Sequence, residues 1–403
     1  MTDEFVLIFA KTSHKKTPYD QWLVGTGIKP IILTASEYAA SYSHLPEVYA
    51  FDNYDKNQLV EKTADEIGKS RNLVAVFARA ESDIIRAAIL RERLDIEGQD
   101  LFSAIAFRNK VIMKDLLKNS GVLLPEYTAI DSAYSIIDFI DKHGYPVVIK
   151  PVSESGSLGT HIIRESEDLE LYLKNPIQSE IEIENFVAGQ MYHIDGLVIE
   201  GEIKFIVAFQ YVNDCLSFRE GRYIGHCSVS PEDPAHAKLI TATRKILATL
   251  PTPRNTAFHS ELWINLKGEV VVCEIASRTG GGMIASLINN SFDVNLDREW
   301  FKAECGLPYI HRHCDYIPTG AINIFAKKGT LLNLPSGEPE FVRESHFTGT
   351  VGQTYNGGVK SGLFLAGYVI AGKSTDDILL NIETMDQWTE QNFRWDLKGE
   401  LVL

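Results

Sequence analysis

The sequence predicts a mixed α/β and α+β protein, with an open parallel sheet first and antiparallel α+β units after it. Three observations carry this. Short apolar runs alternate with helical stretches over about the first 105 residues, the pattern of a parallel sheet. A strand ending in Lys150 enters a glycine/serine loop and returns as a second strand. Two alternating runs, Phe258 to Leu266 and Glu269 to Ile275, flank a short turn and lead into a triple glycine.

Composition bounds the reading. The 403 residues suggest two to three domains, and a 45% hydrophobic share supplies an ample core. No apolar run reaches the eighteen residues of a membrane span. The acidic start MTDEFVLIFAKT enters a strand and does not read as a signal peptide. Five cysteines without a CxxC pair suit reduced thiols, so a cytoplasmic location is expected. A net charge of −15 argues against a nucleic-acid groove.

In chain order, Phe5 to Ala10, Lys29 to Thr34 and Leu73 to Phe77 read as strands, with Ser36 to Tyr42 and Asn57 to Lys69 helical between them. No GxGxxG follows the first strand, so a dinucleotide site is not expected. Glu81 lies between the third strand and the helix Ile84 to Leu94. It either meets a ligand beyond the strand ends or is a helix-start acid. Lys110 leads the helix Val111 to Lys118. Pro125 opens a strand, Ala133 to His143 is helical, and Val147 to Pro151 is a strand carrying Lys150. Ser155, Gly156, Ser157 and Gly159 belong to the loop after it. Such a loop offers backbone N–H groups and hydroxyls to phosphate oxygens, or serves as a plain hairpin connection. Strands follow at Glu180 to Val187, Met191 to Ile199 and Lys204 to Tyr211, then a glycine-rich stretch holding His226, and a helix Pro234 to Leu250.

In the hairpin, a two-residue turn at Lys267-Gly268 sets Leu266 against Glu269 and Glu261 against Glu274. Phe258, Leu262, Ile264, Val271, Cys273 and Ile275 then share the core face. Facing carboxylates destabilise a ladder, with Cβ atoms about 5 Å apart. Either a hard divalent cation relieves the conflict, or the acids lie on a solvated edge and never meet. Arg278 and the bend Thr279-Gly280-Gly281-Gly282 favour an anionic substrate together with a metal. After the helix Asn295 to Gly306, His311-Arg312-His313-Cys314 fits no zinc spacing. The tail reads as a small α+β unit ending in a helix Asp376 to Phe393.

The order Lys110, Lys150, glycine loop, Glu184-Asn185-Phe186-Val187, Glu261, Glu274, Arg278 resembles the ATP-grasp superfamily over about residues 105 to 310, and within it the L-amino-acid (dipeptide) ligases. The resemblance implies a Rossmann-like open sheet at 1–105, an ATP-grasp fold at 106–310 in two parts (106–187 and 188–310), and a C-terminal α+β appendage at 311–403. It implies that Lys110 and Lys150 hold ATP phosphates under the loop, that Glu184 reaches the adenine amino group, and that Val187 meets the ring through its backbone. Glu261 and Glu274 would hold Mg²⁺ (or Mn²⁺). Arg278 would neutralise an acyl-phosphate transition state, while Glu81, His226 and Gly281 would lie at the amino-acid substrate. Two departures stand out. Met191 occupies the position of the usual ribose acid. Glu274-Ile275-Ala276 lacks the asparagine that follows the second metal acid, leaving Ser277 or water to supply that oxygen.

The expected function is ATP-dependent activation of an amino-acid carboxylate and its transfer to an amine, with amino acids as partners and no nucleic acid or membrane. Loading of a carrier-protein thiol and a non-catalytic nucleotide-binding role are the alternatives, and a homodimer is left open.

Overall fold

The computed structural model describes residues 3–175, 179–310 and 316–397. The His311-to-Cys314 segment lies outside them. The first sheet is parallel, built from β1 (Glu4–Ala10), β2 (Ile28–Ala35), β3 (Val48–Phe51) and β4 (Leu73–Ala78) in the order β3-β2-β1-β4. Its strands are near-continuous apolar runs because both faces are covered. Leu7, Phe9, Leu33 and Val76 pack on one side, while Val6, Ile8, Ile32 and Phe77 pack on the other. β3 was not foreseen from sequence; it is a half-exposed edge strand of four residues, too short for a strand period to show. The expected helix Ser36 to Tyr42 splits into an α-turn, Ser36–Ala39, and a 3₁₀ turn, Ala40–Tyr42.

The second sheet is antiparallel, with β5 (Tyr127–Ile130), β6 (Val147–Pro151), β7 (His161–Ile163) and β8 (Ile181–Asn185) in the order β5-β8-β6-β7. Strand alternation divides its residues cleanly. Val147, Ile149, Ile181 and Ile183 pack against Ile136, Phe139 and Ile140 of the helix Ala133–His143. Lys150, Glu182 and Glu184 fall on the opposite face, with Lys150 paired to Glu182 and Val148 to Glu184.

The third sheet has eight antiparallel strands. The eleven strands after β8 are β9 (Gly189–Ile199), β10 (Glu202–Val212), β11 (Ile224–Ser228), β12 (Thr256–Asn265), β13 (Val270–Ala276), β14 (Thr319–Ile324), β15 (Lys328–Asn333), β16 (Val342–Phe347), β17 (Thr354–Asn356), β18 (Ala366–Ala371) and β19 (Arg394–Asp396), and eight of them form this sheet. The large sheet runs β13-β12-β9-β10-β11-β14-β18-β16, and β17-β15-β19 form a small sheet apart. Three strands of the tail thus continue the large sheet from β11, where an open edge would expose unpaired backbone groups. The helix Thr375–Asn392 covers this end through Ile378, Ile382 and Met385. An unforeseen helix, Ile284–Phe292, follows the triple glycine and buries Ile284, Leu287 and Ile288 at the i, i+3, i+4 spacing. No helix among the described residues is long and apolar enough to cross a membrane.

The β12–β13 hairpin corrects the predicted turn. Asn265, not Leu266, faces Glu269: the Asn265 N–H donates to the Glu269 carbonyl at 2.9 Å, and the Gly268 N–H to the Asn265 carbonyl at 2.8 Å. The connecting loop is therefore three residues, closed by Gly268 at φ 76°. A β-bulge then restores the expected register, since Leu262 pairs with Val272 but Glu261 pairs with Glu274. One extra loop residue and one bulged residue cancel. Cys273 is the residue the bulge displaces. It and Val271 lie outside the core cluster that Val270, Val272, Leu262 and Ile275 join.

Candidate functional site

The three large sheets enclose a cavity of about 1060 Å³. Lys110, Lys150, Glu184, Val187, Ser155, Gly156 and Ser157 line it from one side. Glu261, Glu274, Arg278, Gly281, His226 and Glu81 line it from the others. Gly159 is the one expected site residue that does not line it. Its φ of 70° turns the loop back, and a Cβ there would lie 2.8 Å from the Pro151 ring. It shapes the loop and does not line the cavity.

β6 and β8 carry a fully enclosed ion cluster. Lys114, from the helix Lys110–Leu117, reaches Glu182 at 2.8 Å and also Glu184. Lys150 reaches Glu184 at 2.5 Å and Glu182 at 3.7 Å. Both carboxylate oxygens of Glu184 are therefore engaged by lysines, and its side chain orients Lys150 at the cavity wall. Burial would raise the Glu184 carboxyl, but Lys150 and Lys114 outweigh it and hold it low. Lys114 was not foreseen, because an amphipathic-helix lysine ordinarily faces water.

Lys110 bridges to Glu274 at 3.0 Å and donates to the Glu154 carbonyl at 2.8 Å. Burial opposes ionisation of Glu274, yet Lys110 and Lys150 pull it down to about 2. Opposite it, Glu261 accepts a hydrogen bond from the Tyr211 hydroxyl at 2.7 Å. Two carboxylates facing across a ladder are a hard oxygen donor set that fits Mg²⁺ and does not suit zinc. Ser277 does not supply the missing third oxygen, because its hydroxyl lies 2.9 Å from the Gln99 side-chain amide and donates back to it at 3.2 Å. Water is left for that position.

Glu81 sits between two guanidinium groups. Arg108 reaches it at 3.0 Å, and the Arg278 Nε–H bonds the other oxygen. Burial would raise the Glu81 carboxyl, but Arg278 and Arg108 hold it below the usual range. Both of its oxygens serve arginines, and together with the Thr279 carbonyl at 2.8 Å it fixes Arg278. Thr279 in turn donates to Asp297 at 2.8 Å, and Asp297 pairs with Arg79 at 2.7 Å, so the glycine bend is tied to the end of β4.

His226 belongs to a buried chain that sequence reading missed. His193 and Asp195 alternate onto one face of β9, where β12 sets Glu261 beside His193 and His259 beside Asp195. Asp195 accepts from His193 at 2.5 Å and from His259 at 2.9 Å, and His193 lies 3.0 Å from His226. Burial and His193 keep the His226 imidazole neutral, well below its ordinary value. His259 goes the other way. Burial opposes its charge, but Asp195 and Glu261 raise it to about 10. Polar residues at period two inside an apolar strand were the available signal. Met191 also lines the cavity, against the Cys215 thiol at 3.6 Å.

The phosphate-type loop is pinned from afar. Arg219 donates to the Thr160 carbonyl at 2.6 Å and the Ser157 carbonyl at 2.9 Å. The Ser361 N–H donates to the Gly156 carbonyl at 3.2 Å.

Residues 143–286 match the family described as ATP-grasp domain. The L-arginine-specific L-amino acid ligase of Bacillus subtilis is 27% identical over 274 residues, covering 66% of each chain. The alanine–anticapsin ligase of Bacillus subtilis is 24% identical, covering 67% of this chain and 63% of its own. The matches thus span just under two thirds of these relatives. Among solved structures, an L-amino acid ligase from Bacillus licheniformis superposes with a TM-score of 0.77 at 15% identity, covering 99% of this chain and 100% of its own. N5-carboxyaminoimidazole synthetase from Staphylococcus aureus, solved with ADP, gives 0.71 at 15% identity, covering 95% and 96%.

Proposed function

We propose that this chain, whose residues 143–286 match the ATP-grasp domain and which is similar to L-amino-acid ligases, joins an amino-acid carboxylate to the amine of a second amino acid at the expense of ATP. A carboxylate oxygen attacks the γ-phosphorus and ADP leaves. The amine nitrogen then attacks the acyl carbon of the acyl phosphate, phosphate leaves, and the nitrogen loses a proton. One observation carries the reading. Lys110, Lys150, Glu261, Glu274 and Arg278, from separate parts of the chain, converge on one cavity with the two acids in direct register.

The residues act by positioning and by charge. Lys110 and Lys150 meet phosphate oxygens, and the Glu182–Glu184–Lys114 cluster holds Lys150 in place. Glu261 and Glu274 would hold Mg²⁺, which supplies positive charge against the phosphates when bound. Arg278 neutralises charge on the transferring group, with Glu81 setting its angle. His226 and Gly281 border the amino-acid end.

A phosphate-release screen over pairs of amino acids tests the proposal. Release that requires ATP, Mg²⁺ and two amino acids together is expected. Release with none of the pairs would refute it.

Glu81→Gln separates the two roles open to that acid. As the partner of Arg278 it should lower kcat about ten- to a hundredfold, the size of one lost charged hydrogen bond, while the amino-acid KM changes little. A raised amino-acid KM at unchanged kcat would return Glu81 to the substrate ammonium.

A further inference from the structure

The charges around the cavity are mostly satisfied by one another. Lys110 pairs with Glu274, Lys150 with Glu184, Arg108 and Arg278 with Glu81, Lys11 with Asp55, and Arg79 with Asp297. Lys360 does not follow this pattern. It lines the same cavity half-buried, with no carboxylate at ion-pairing distance among the described residues.

Its position is built. The Lys360 ammonium donates to the Ser155 hydroxyl at 3.3 Å, and the next residue's N–H holds the Gly156 carbonyl at 3.2 Å. Gly156 permits the approach. A Cβ there would stand 2.7 Å from Lys360 Cε and 2.9 Å from Cγ. Lys360 therefore lies across the loop that the ligase reading assigns to phosphate. An ammonium half removed from water with no carboxylate at ion-pairing distance among the described residues favours an anionic ligand. Burial depresses its pKa, Glu154 opposes that, and Arg278 and Lys11 add to the depression. Arg278, which the ligase reading places at the transferring group, is among these neighbours, and Lys150 and Glu184 are not.

We infer that Lys360 is a further phosphate-binding residue, contributed by the segment between β17 and β18, and that it contacts the oxygens of the γ-phosphoryl group. The inference rests on the ATP-dependent reading of this cavity and assigns the C-terminal segment a direct share in the nucleotide site.

Calorimetric titration of Mg²⁺ with ADP, and of Mg²⁺ with a non-hydrolysable β,γ-imido ATP analogue, tests it on wild type, Lys360→Met and Lys360→Arg. The methionine variant should bind the triphosphate analogue about ten- to a hundredfold more weakly, the scale of one charge-assisted contact, and ADP within about threefold of wild type. The arginine variant should recover most of the loss. Equal weakening for both nucleotides would make Lys360 a prop for the loop and overturn the inference, as would unchanged affinity. Wild type that binds neither nucleotide would overturn it together with the ligase reading. Selective loss in the methionine variant, with no phosphate release from any amino-acid pair, would leave the inference standing and remove the ligase reading alone.

Discussion

Replacing Arg278 with glutamine is expected to lower kcat about 100- to 1000-fold, the scale for deleting one preorganised donor to transition-state charge. The side chain is partly buried at the cavity wall, with its Nε–H on Glu81 and one terminal nitrogen on the Thr279 carbonyl at 2.8 Å. Burial opposes its charge, but Glu81 more than restores it. A guanidinium held at two points is preorganised, so little reorganisation is needed as charge develops. Glutamine keeps a donor but neither the charge nor the fork. Affinity for ADP should hold within about threefold, since the contact matters only when the phosphoryl group is in transit. Steady-state kinetics alongside ADP titration provide the check. Intact kcat with weakened ADP binding would make Arg278 a ground-state nucleotide ligand.

Lys114→Met is expected to destabilise the fold by about 3–5 kcal/mol, the cost of removing one partner from a buried ion pair. Lys114 and Glu182 are fully enclosed, and Glu184 is 2% exposed. Two lysines balance two glutamates there, so the substitution leaves one uncompensated negative charge in the core. Equilibrium urea unfolding should show the loss at neutral pH. Lys114→Met with Glu182→Gln should recover part of it by restoring the balance. The effect has a pH sign. The folded pKa of Glu184 is depressed, so its contribution is present above the unfolded value of about 4.3 and fades as pH falls through the lower folded value. A loss under about 1 kcal/mol would mean that the cluster tolerates one unbalanced acid, leaving Lys114 little structural weight.

The hairpin shows how a correct pairing can be read through an incorrect turn. Glu261 opposes Glu274 as the alternation of β12 and β13 implies, yet the loop is one residue longer than expected and a bulge offsets it. Lys-Gly permits more than one turn, and a bulge leaves no mark in a run of Val-Val-Val-Cys. The side that Cys273 takes was therefore decided by the fold.

The sequence by itself determined most of the elements and their faces. Apolar runs fixed the parallel strands β1, β2 and β4. Period-two alternation put Lys150 and Glu184 away from the β6–β8 core, and Glu261 and Glu274 away from Leu262 and Ile275. The glycines at 156 and 280–282 marked the close backbone turns. Those are local properties, set by dihedral preference and by which side chains avoid water. Tertiary structure decided which charges meet. Glu184 went to Lys114 and Lys150, Glu81 to Arg108 and Arg278, and Lys360 arrived over Ser155 from 205 residues away. An ion pair is chosen by separation in space and by how much desolvation each partner must recover, and neither quantity is encoded in the spacing of residues along the chain.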